Sequence, residues 1–522
     1  MRLIKSTAII GAFTMMSRIL GLIRDVLMAR FLGAGLVSDA LFTAFKLPNL
    51  FRRVFAEGAF NAAFVPLYAR RLEEEGEEAA TGFASEALAA LLVVTAILVA
   101  IFELTMPYAM NLLGAGLSRE SLAAGQASAF DLAVLYGQIT MPYLVFMSLA
   151  ALFSGVLNTR HHFAAAAAAP IALNILLVGV LASASSMGWG KASLGVYLAI
   201  AMSLSGILQV ALVIWACRKA GVKIGLKRPR MTPGVKRLFQ LGLPGAAAAG
   251  ITQINLMVSH NIATTQANAA SWLNYADRLY QLPLGMIGIG MGIALLPSLS
   301  RALRAGDERG ASHSLNRALE LSAFLTLPAA AALAAMPDFL IAGLFQSGAF
   351  SAADTAQTAK ALRMFAFGLP AFVLIKVLTP AFFARENTRS PMLYAGASAI
   401  INVTLGAALF FTVGFYGLAL ATSVAAWANV ILLWRSLKAS GHLSPDGALM
   451  MRFPRIVIAS VLMGIAVYFM AQYFGGAIGG KILADIALLL GVSAAGLALY
   501  AVLALALRAV SLDDMKSAFK KG

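Results

Sequence analysis

Charge is scarce in this chain. Only 12% of its 522 residues are charged, and acids are the scarcer kind, with 23 Asp and Glu against 40 Lys and Arg. Soluble domains carry about twice that charged fraction, so a mostly water-facing surface is excluded. The single cysteine, Cys217, excludes an internal disulfide and a cysteine-built metal site. The five histidines are scattered and form no HExxH pair, which removes that zinc-hydrolase pattern. What fills the sequence instead is apolar: 60% hydrophobic residues and a mean hydropathy of +0.83.

The apolar residues come in runs of about 20 or more, long enough at about 1.5 Å per residue to cross a hydrocarbon core of about 30 Å as helices. Fourteen spans are expected, near 7–32, 38–69, 83–113, 130–157, 162–184, 192–217, 236–263, 271–300, 316–345, 358–384, 391–413, 416–436, 453–474 and 482–507. Met1 to Lys5 resembles the charged start of a signal peptide, but the apolar run behind it is long and contains Arg18 and Arg24, so a retained first helix is expected.

A formal charge of +17 could suggest a nucleic-acid partner. Its distribution argues otherwise, because the cations lie between the spans, where the positive-inside rule places them. Alternate loops hold Arg70, Arg71, Arg160, a cluster from Arg218 to Arg237, Arg301, Arg304, Arg385 and Arg389, whereas the opposite loops hold only Arg119, Lys191 and Lys481. That asymmetry predicts cytoplasmic N- and C-termini.

The basic stretch, with Pro229 and Pro233, divides the chain. The expected organisation is a six-helix lobe over 1–220, a linker over 221–237, a second six-helix lobe over 238–440, and two further helices with a tail over 441–522. A weak internal repeat agrees. Asn158-Thr159-Arg160 and Asn387-Thr388-Arg389 fall in equivalent inner loops, and PLYAR (66–70) matches PSLSR (297–301). Both halves begin on the same side, so the repeat is parallel, with a pseudo-two-fold axis along the membrane normal.

Against this background some charges are out of place. Arg18 and Arg24 lie in the first span, Lys46, Arg52, Arg53 and Glu57 in the second, and Asp277 with Arg278 in the eighth. A central arginine costs about 2.5 to 3.5 kcal/mol on insertion scales unless it is paired or wet. Local pairing is available from Asp25 or Asp39 for Arg24, and from Glu57 for Arg53. The cations still outnumber the acids. Asp39, Lys46 and Arg53 repeat at seven residues and share a helical face, with Arg52 about 100° aside. A surplus of guanidinium forks in a water-filled cavity suits a multivalent oxyanion, above all a phosphorylated one.

The runs SRILGLIRDVLMARFLGAG (17–35), SDALFTAFKLPNLFRRVFAEGAFNAAFVP (38–66) and NYADRLYQLP (274–283) resemble the MurJ (MviN) family of lipid II flippases, in the multidrug/oligosaccharidyl-lipid/polysaccharide exporter superfamily. The resemblance covers the whole chain. It implies an all-α polytopic membrane protein of 14 transmembrane helices, with two six-helix lobes around a cationic cavity and spans 13 and 14 forming a groove for a polyprenyl tail. It implies a monomeric transporter of the bacterial inner membrane, not an enzyme, with lipid II as cargo, membrane lipids around it and cell-wall synthesis machinery as associated partners.

By that resemblance Arg18, Arg24, Arg52 and Arg278 contact the diphosphate or drive the cycle, with Asp39, Glu57 and Asp277 as acidic partners and Lys46, Asn49 and Arg53 completing the set. No cofactor is implied beyond coupling to membrane potential or a monovalent cation. Some relatives hold sodium in the C-terminal lobe; the corresponding spans offer Asn255, Asn402, Thr404 and Thr422 but no intramembrane carboxylate, which a hard cation usually requires. Two other readings compete. A cation-coupled exporter of drugs or of another polyprenyl-linked glycolipid would need, for cationic drugs, an acidic or aromatic lining. A membrane glycosyltransferase would need a carboxylate base near the outer face, where only Glu120, Asp131 and Asp354 are at hand.

Overall fold

Long apolar runs satisfy their backbone polar groups internally as helices, and helix is what the chain forms; no strand occurs among the described residues. The computed structural model describes residues 2–53, 59–119, 127–479 and 482–509, without side-chain description for 2–10, 59, 245, 247–249, 251–252 and 288–294. The chain forms two compact units, residues 1–271 and 272–522.

The first unit contains α1 (Arg2–Leu32), α2 (Leu36–Arg52), α3 (Ala59–Glu74), α4 (Gly76–Leu113), α5 (Ala129–Thr140), α6 (Tyr143–Thr159), α7 (Phe163–Met187), α8 (Lys191–Lys219) and α9 (Pro233–Thr264). One buried cluster joins Met28, Leu41, Met106, Tyr136 and Leu198, and another joins Phe64, Tyr68, Phe83, Leu157 and Val213. The helix after the basic linker, α9, packs on α3 and α4 within this unit. The compact division therefore falls after α9.

Helix α10 (Ala269–Arg304) crosses the division, and the second unit continues with α11 (Glu308–Ala335), α12 (Pro337–Phe345), α13 (Ala352–Phe383), α14 (Arg389–Val413), α15 (Tyr416–Ala439), α16 (Gly447–Phe474) and α17 (Ile482–Ala506). Its core gathers Leu299, Leu315, Leu378, Phe382 and Leu433.

Ten helical stretches are long and apolar enough to cross a membrane by length and composition. Each of the fourteen expected spans has a helical counterpart, but α1, α2 with α3, α9 and α10 fall outside those ten among the described residues. Three of these four segments carry the candidate charged residues.

The expected repeat is visible in local geometry, with one correction. Helix α6 ends in a Schellman turn, with His161 left-handed at φ 62° and the His162 amide donating to the Leu157 carbonyl; α13 ends likewise at Glu386, φ 59°, with the Asn387 amide donating to Phe382. The turns are equivalent, but the Asn-Thr-Arg triplets are not in register. Aligning the left-handed residues makes Arg385, not Arg389, the counterpart of Arg160, because the αL position fixes the turn and the triplet does not.

Candidate functional site

Arg24, on α1, is held from two sides. Its Nε and Nη2 donate to Asp25 Oδ1 at 3.0 and 2.7 Å, and its Nη1 donates to Asn174 Oδ1 on α7 at 3.0 Å. Asn174 in turn donates through Nδ2 to the Ser17 carbonyl at 3.0 Å, tying α7 across about two turns of α1. The arginine side chain is only 12% exposed. Of the two acids that the sequence offers Arg24, Asp25 and Asp39, Asp25 is the partner. One carboxylate and one amide fix the guanidinium in place, and Arg18, one and a half turns earlier on α1, is half-buried.

Asp39 does something else. Its Oδ2 accepts the Asn268 amide at 3.0 Å, and its Oδ1 accepts the Ser271 amide at 2.8 Å together with the Ser271 hydroxyl. Asn268, left-handed at φ 65°, immediately precedes α10, so a carboxylate from α2 caps the start of α10. An anion there meets unpaired amides and the positive end of the helix dipole. One turn along α2, Thr43 Oγ1 lies 2.9 Å from His260 Nε2 on α9, and Lys46 is within electrostatic reach of that ring. Nearby, Asn261 Nδ2 donates to the Leu112 carbonyl, and a side chain on Gly116 would strike Thr265 backbone at 2.2 Å. Together these contacts clasp the α9–α10 connection onto α2 and the end of α4.

Further along α2, Arg52 Nε donates to Asn49 Oδ1 at 2.9 Å, so these two candidates are neighbours one turn apart. Lys46 and Arg52 are half-buried and Arg53 is exposed. Glu57, expected to pair with Arg53, lies outside the described residues, as does Glu120. On α10, Arg278 and Asp277 are half-buried, and Asp277 accepts from Gln281 Nε2.

The candidate cation ligands are dispersed in role. Thr404 and Thr422 donate their hydroxyls to carbonyls one turn back, Ile400 and Leu418, as ordinary helical threonines do. Asn402 is buried on α14 and Asn255 half-buried on α9. Asp131 and Asp354, the acids that a glycosyltransferase reading would need, are each engaged in a capping box with Ser128 and Ser351. Asp354 also accepts from Trp272 Nε1 at 2.9 Å.

Asn174, Asn268, Ser271 and His260 were not among the expected site residues. Asn174 carried a signal, a polar residue within an apolar span at a repeated spacing. Ser271 and Asn268 carried none, since their role depends on a carboxylate 232 and 229 residues away.

Helices of membrane-crossing length with arginines held inside them define a multi-span membrane transporter. The fold agrees: a multidrug resistance MATE family transporter of the MOP superfamily, in an inward-facing conformation, superposes with a TM-score of 0.68 at 18% identity, covering 83% of this chain and 98% of that one. A solved lipid II flippase MurJ in an inward closed conformation matches with a TM-score of 0.76 at 26% identity, over 95% of this chain and 97% of that one. The family model described as lipid II flippase MurJ covers residues 28–489. A probable lipid II flippase MurJ from Rhizobium meliloti (strain 1021) is 44% identical over 525 residues, spanning 100% of this chain and 97% of the relative. The chain belongs to the MurJ family.

Proposed function

We propose that this protein moves lipid II from the cytoplasmic to the outer leaflet of the bacterial inner membrane by alternating access, for peptidoglycan synthesis. The observation that carries the reading is Arg24, whose guanidinium is nearly enclosed yet fixed by Asp25 and Asn174. A cation held in advance binds an oxyanion without the cost of ordering a long side chain. Arg18, Lys46 and Arg52, in the same unit, supply further positive charge, suited to a diphosphate.

The Asp39 clasp supplies the moving part. It holds Asn268 and Ser271 at the start of α10 against α2 in one state, and its release frees that start as the cargo leaves. The headgroup crosses within the protein while the polyprenyl tail stays in lipid beside α16 and α17. Membrane potential or a monovalent cation drives the cycle, and the protein works as a monomer in contact with the cell-wall synthesis machinery, with cytoplasmic N- and C-termini.

The test is the amount of lipid II exposed on the outer leaflet of cells that depend on this protein. At matched expression, Arg24→Ala and Arg52→Ala should each reduce exposure about tenfold or more, since a charge-assisted hydrogen bond contributes about 1.5 to 3 kcal/mol, while total lipid II accumulates. Unchanged exposure after complete depletion would assign these arginines to another anionic lipid. Dissipating the potential and the sodium gradient separately distinguishes the two energy sources.

A further inference from the structure

The linker between α8 and α9 has no helix or strand but is fastened along its length. Val222 is buried and Ile224 packs beside it on the core that contains Phe83 and Val213, while Lys223 between them is exposed. The Gly225 amide donates to Ser85 Oγ at 3.2 Å, and the Thr232 hydroxyl donates to Glu86 at 2.7 Å, so both ends of the segment are fastened to α4. A side chain on Gly234 would meet Arg71 at 2.8 Å and Phe83 at 3.0 Å, which marks close seating at the start of α9.

What this segment presents outward is unusual for a solvated loop. Leu226 and Met231 are 69% and 70% exposed, and Lys223, Arg228 and Arg230 project beside them. Lys227 instead lines a shallow recess with Arg71, Glu75, Glu78 and Glu86, where acids offset its charge. Lys236 and Arg237 stand exposed in the opening turns of α9, where cations oppose the helix dipole and no acid accompanies them in the first turn. At the other end, Lys219 Nζ sits 5.2 Å from the exposed Trp215 ring, a pairing suited to the headgroup level of a bilayer. Helix capping does not explain these cations, and neither does packing.

We propose that residues 218–237 form a docking surface for anionic phospholipid headgroups, with Leu226 and Met231 entering the acyl boundary while Lys223, Arg228, Arg230, Lys236 and Arg237 hold lipid phosphates. Basic residues at an anionic leaflet each contribute about fivefold in affinity and lose it as salt screens them, and exposed apolar side chains add burial that phosphate alone cannot. The proposal is independent of the cargo and rests on no residue of the arginine site.

The experiment titrates the full-length protein in neutral detergent with dioleoylphosphatidylglycerol, with dioleoylphosphatidylcholine as the uncharged comparison, and reads bound lipid by native mass spectrometry. The expected result is tighter binding of the anionic lipid, weakened about tenfold or more in a Lys223→Gln, Arg228→Gln, Arg230→Gln variant, retained in Lys223→Arg, Arg228→Lys, Arg230→Lys, and reduced in Leu226→Ser, Met231→Ser. Equal binding by the glutamine variant and the parent would overturn the proposal. Displacement of the lipid by an equal concentration of glycerol phosphate would also overturn it, by showing a soluble phosphate ligand. If the glutamine variant melts earlier than the parent, Arg230→Gln alone decides by the same criterion.

Discussion

Two ion pairs at equivalent turns show how one design is finished differently in the two units. In the first, Arg160 reaches from the end of α6 to Glu77 in the first turn of α4, Nη1 to Oε1 2.7 Å. In the second, Arg385 reaches from the end of α13 to Glu308 in the first turn of α11, Nη2 to Oε2 2.8 Å. The arginine side chains are 15% and 14% exposed and the glutamates 63% and 62%. The difference lies behind the arginine. Tyr68, buried, accepts from Arg160 Nε and Nη2 at 3.3 and 3.1 Å, whereas at the matching place of PSLSR stands Leu299, and Arg385 Nε is buried without a hydrogen-bond partner. A further difference is His442, which follows the left-handed Gly441 after α15; Val222 follows left-handed Gly221 after α8 in the same hydrogen-bonded turn. The first latch is satisfied and apolar at its flank. The second is left one bond short and carries a titratable neighbour.

The largest expected effect is on the satisfied latch. Arg160→Ala removes two hydrogen bonds to a buried phenol as well as the ion pair, and should cost about 2 to 3 kcal/mol in detergent unfolding, against about 1 kcal/mol for Arg385→Ala. Equal losses would show that the Tyr68 bonds contribute nothing. Next comes Tyr68→Phe, which makes the first latch resemble the second by leaving Arg160 Nε unpaired; a loss of about 1 kcal/mol is expected, and none from Leu299→Met, a volume-conserving swap.

A smaller effect should follow pH and involve only the second unit. Burial and the neighbouring Arg385 guanidinium lower the His442 pKa below its ordinary 6.5, with the Glu308 carboxylate opposing them. The neutral ring is therefore the folded form, and its contribution is full above pH 6.5 and shrinks as the pH falls below that value, where the unfolded chain takes up the proton first. Melting temperature should fall more between pH 7.5 and 5.5 for the parent than for His442→Val; identical slopes would remove His442 from the account. The smallest changes belong to Glu77→Gln and Glu308→Gln, each about 0.5 kcal/mol and diminished by salt, because those carboxylates are mostly in water. A larger, salt-insensitive loss at either position would mean that the pair is shielded from solvent.

The same contrast between near and distant partners governs what could be read in advance. That Arg24 would find an acid beside it was legible, since Asp25 is its neighbour. That Asn174 would complete its hold was not, because the two are 150 residues apart and nothing in either local sequence requires the other. Asp39 was legible as a charge on the same face as Lys46. Its use as a cap on α10 depends on how the connection after α9 lies against α2. The turn repeat was legible, but its register was not, because identical triplets mark it less reliably than the left-handed residue that closes each helix.

The sequence alone determined that the chain is helical and crosses a membrane many times, since hydrocarbon thickness is a length and an apolar run either meets it or does not. Only the tertiary structure decided which polar groups meet. Buried donors and acceptors must be satisfied by whatever the packing brings within about 3 Å, and for Arg24 and Asp39 those partners lie on the order of 150 to 230 residues away.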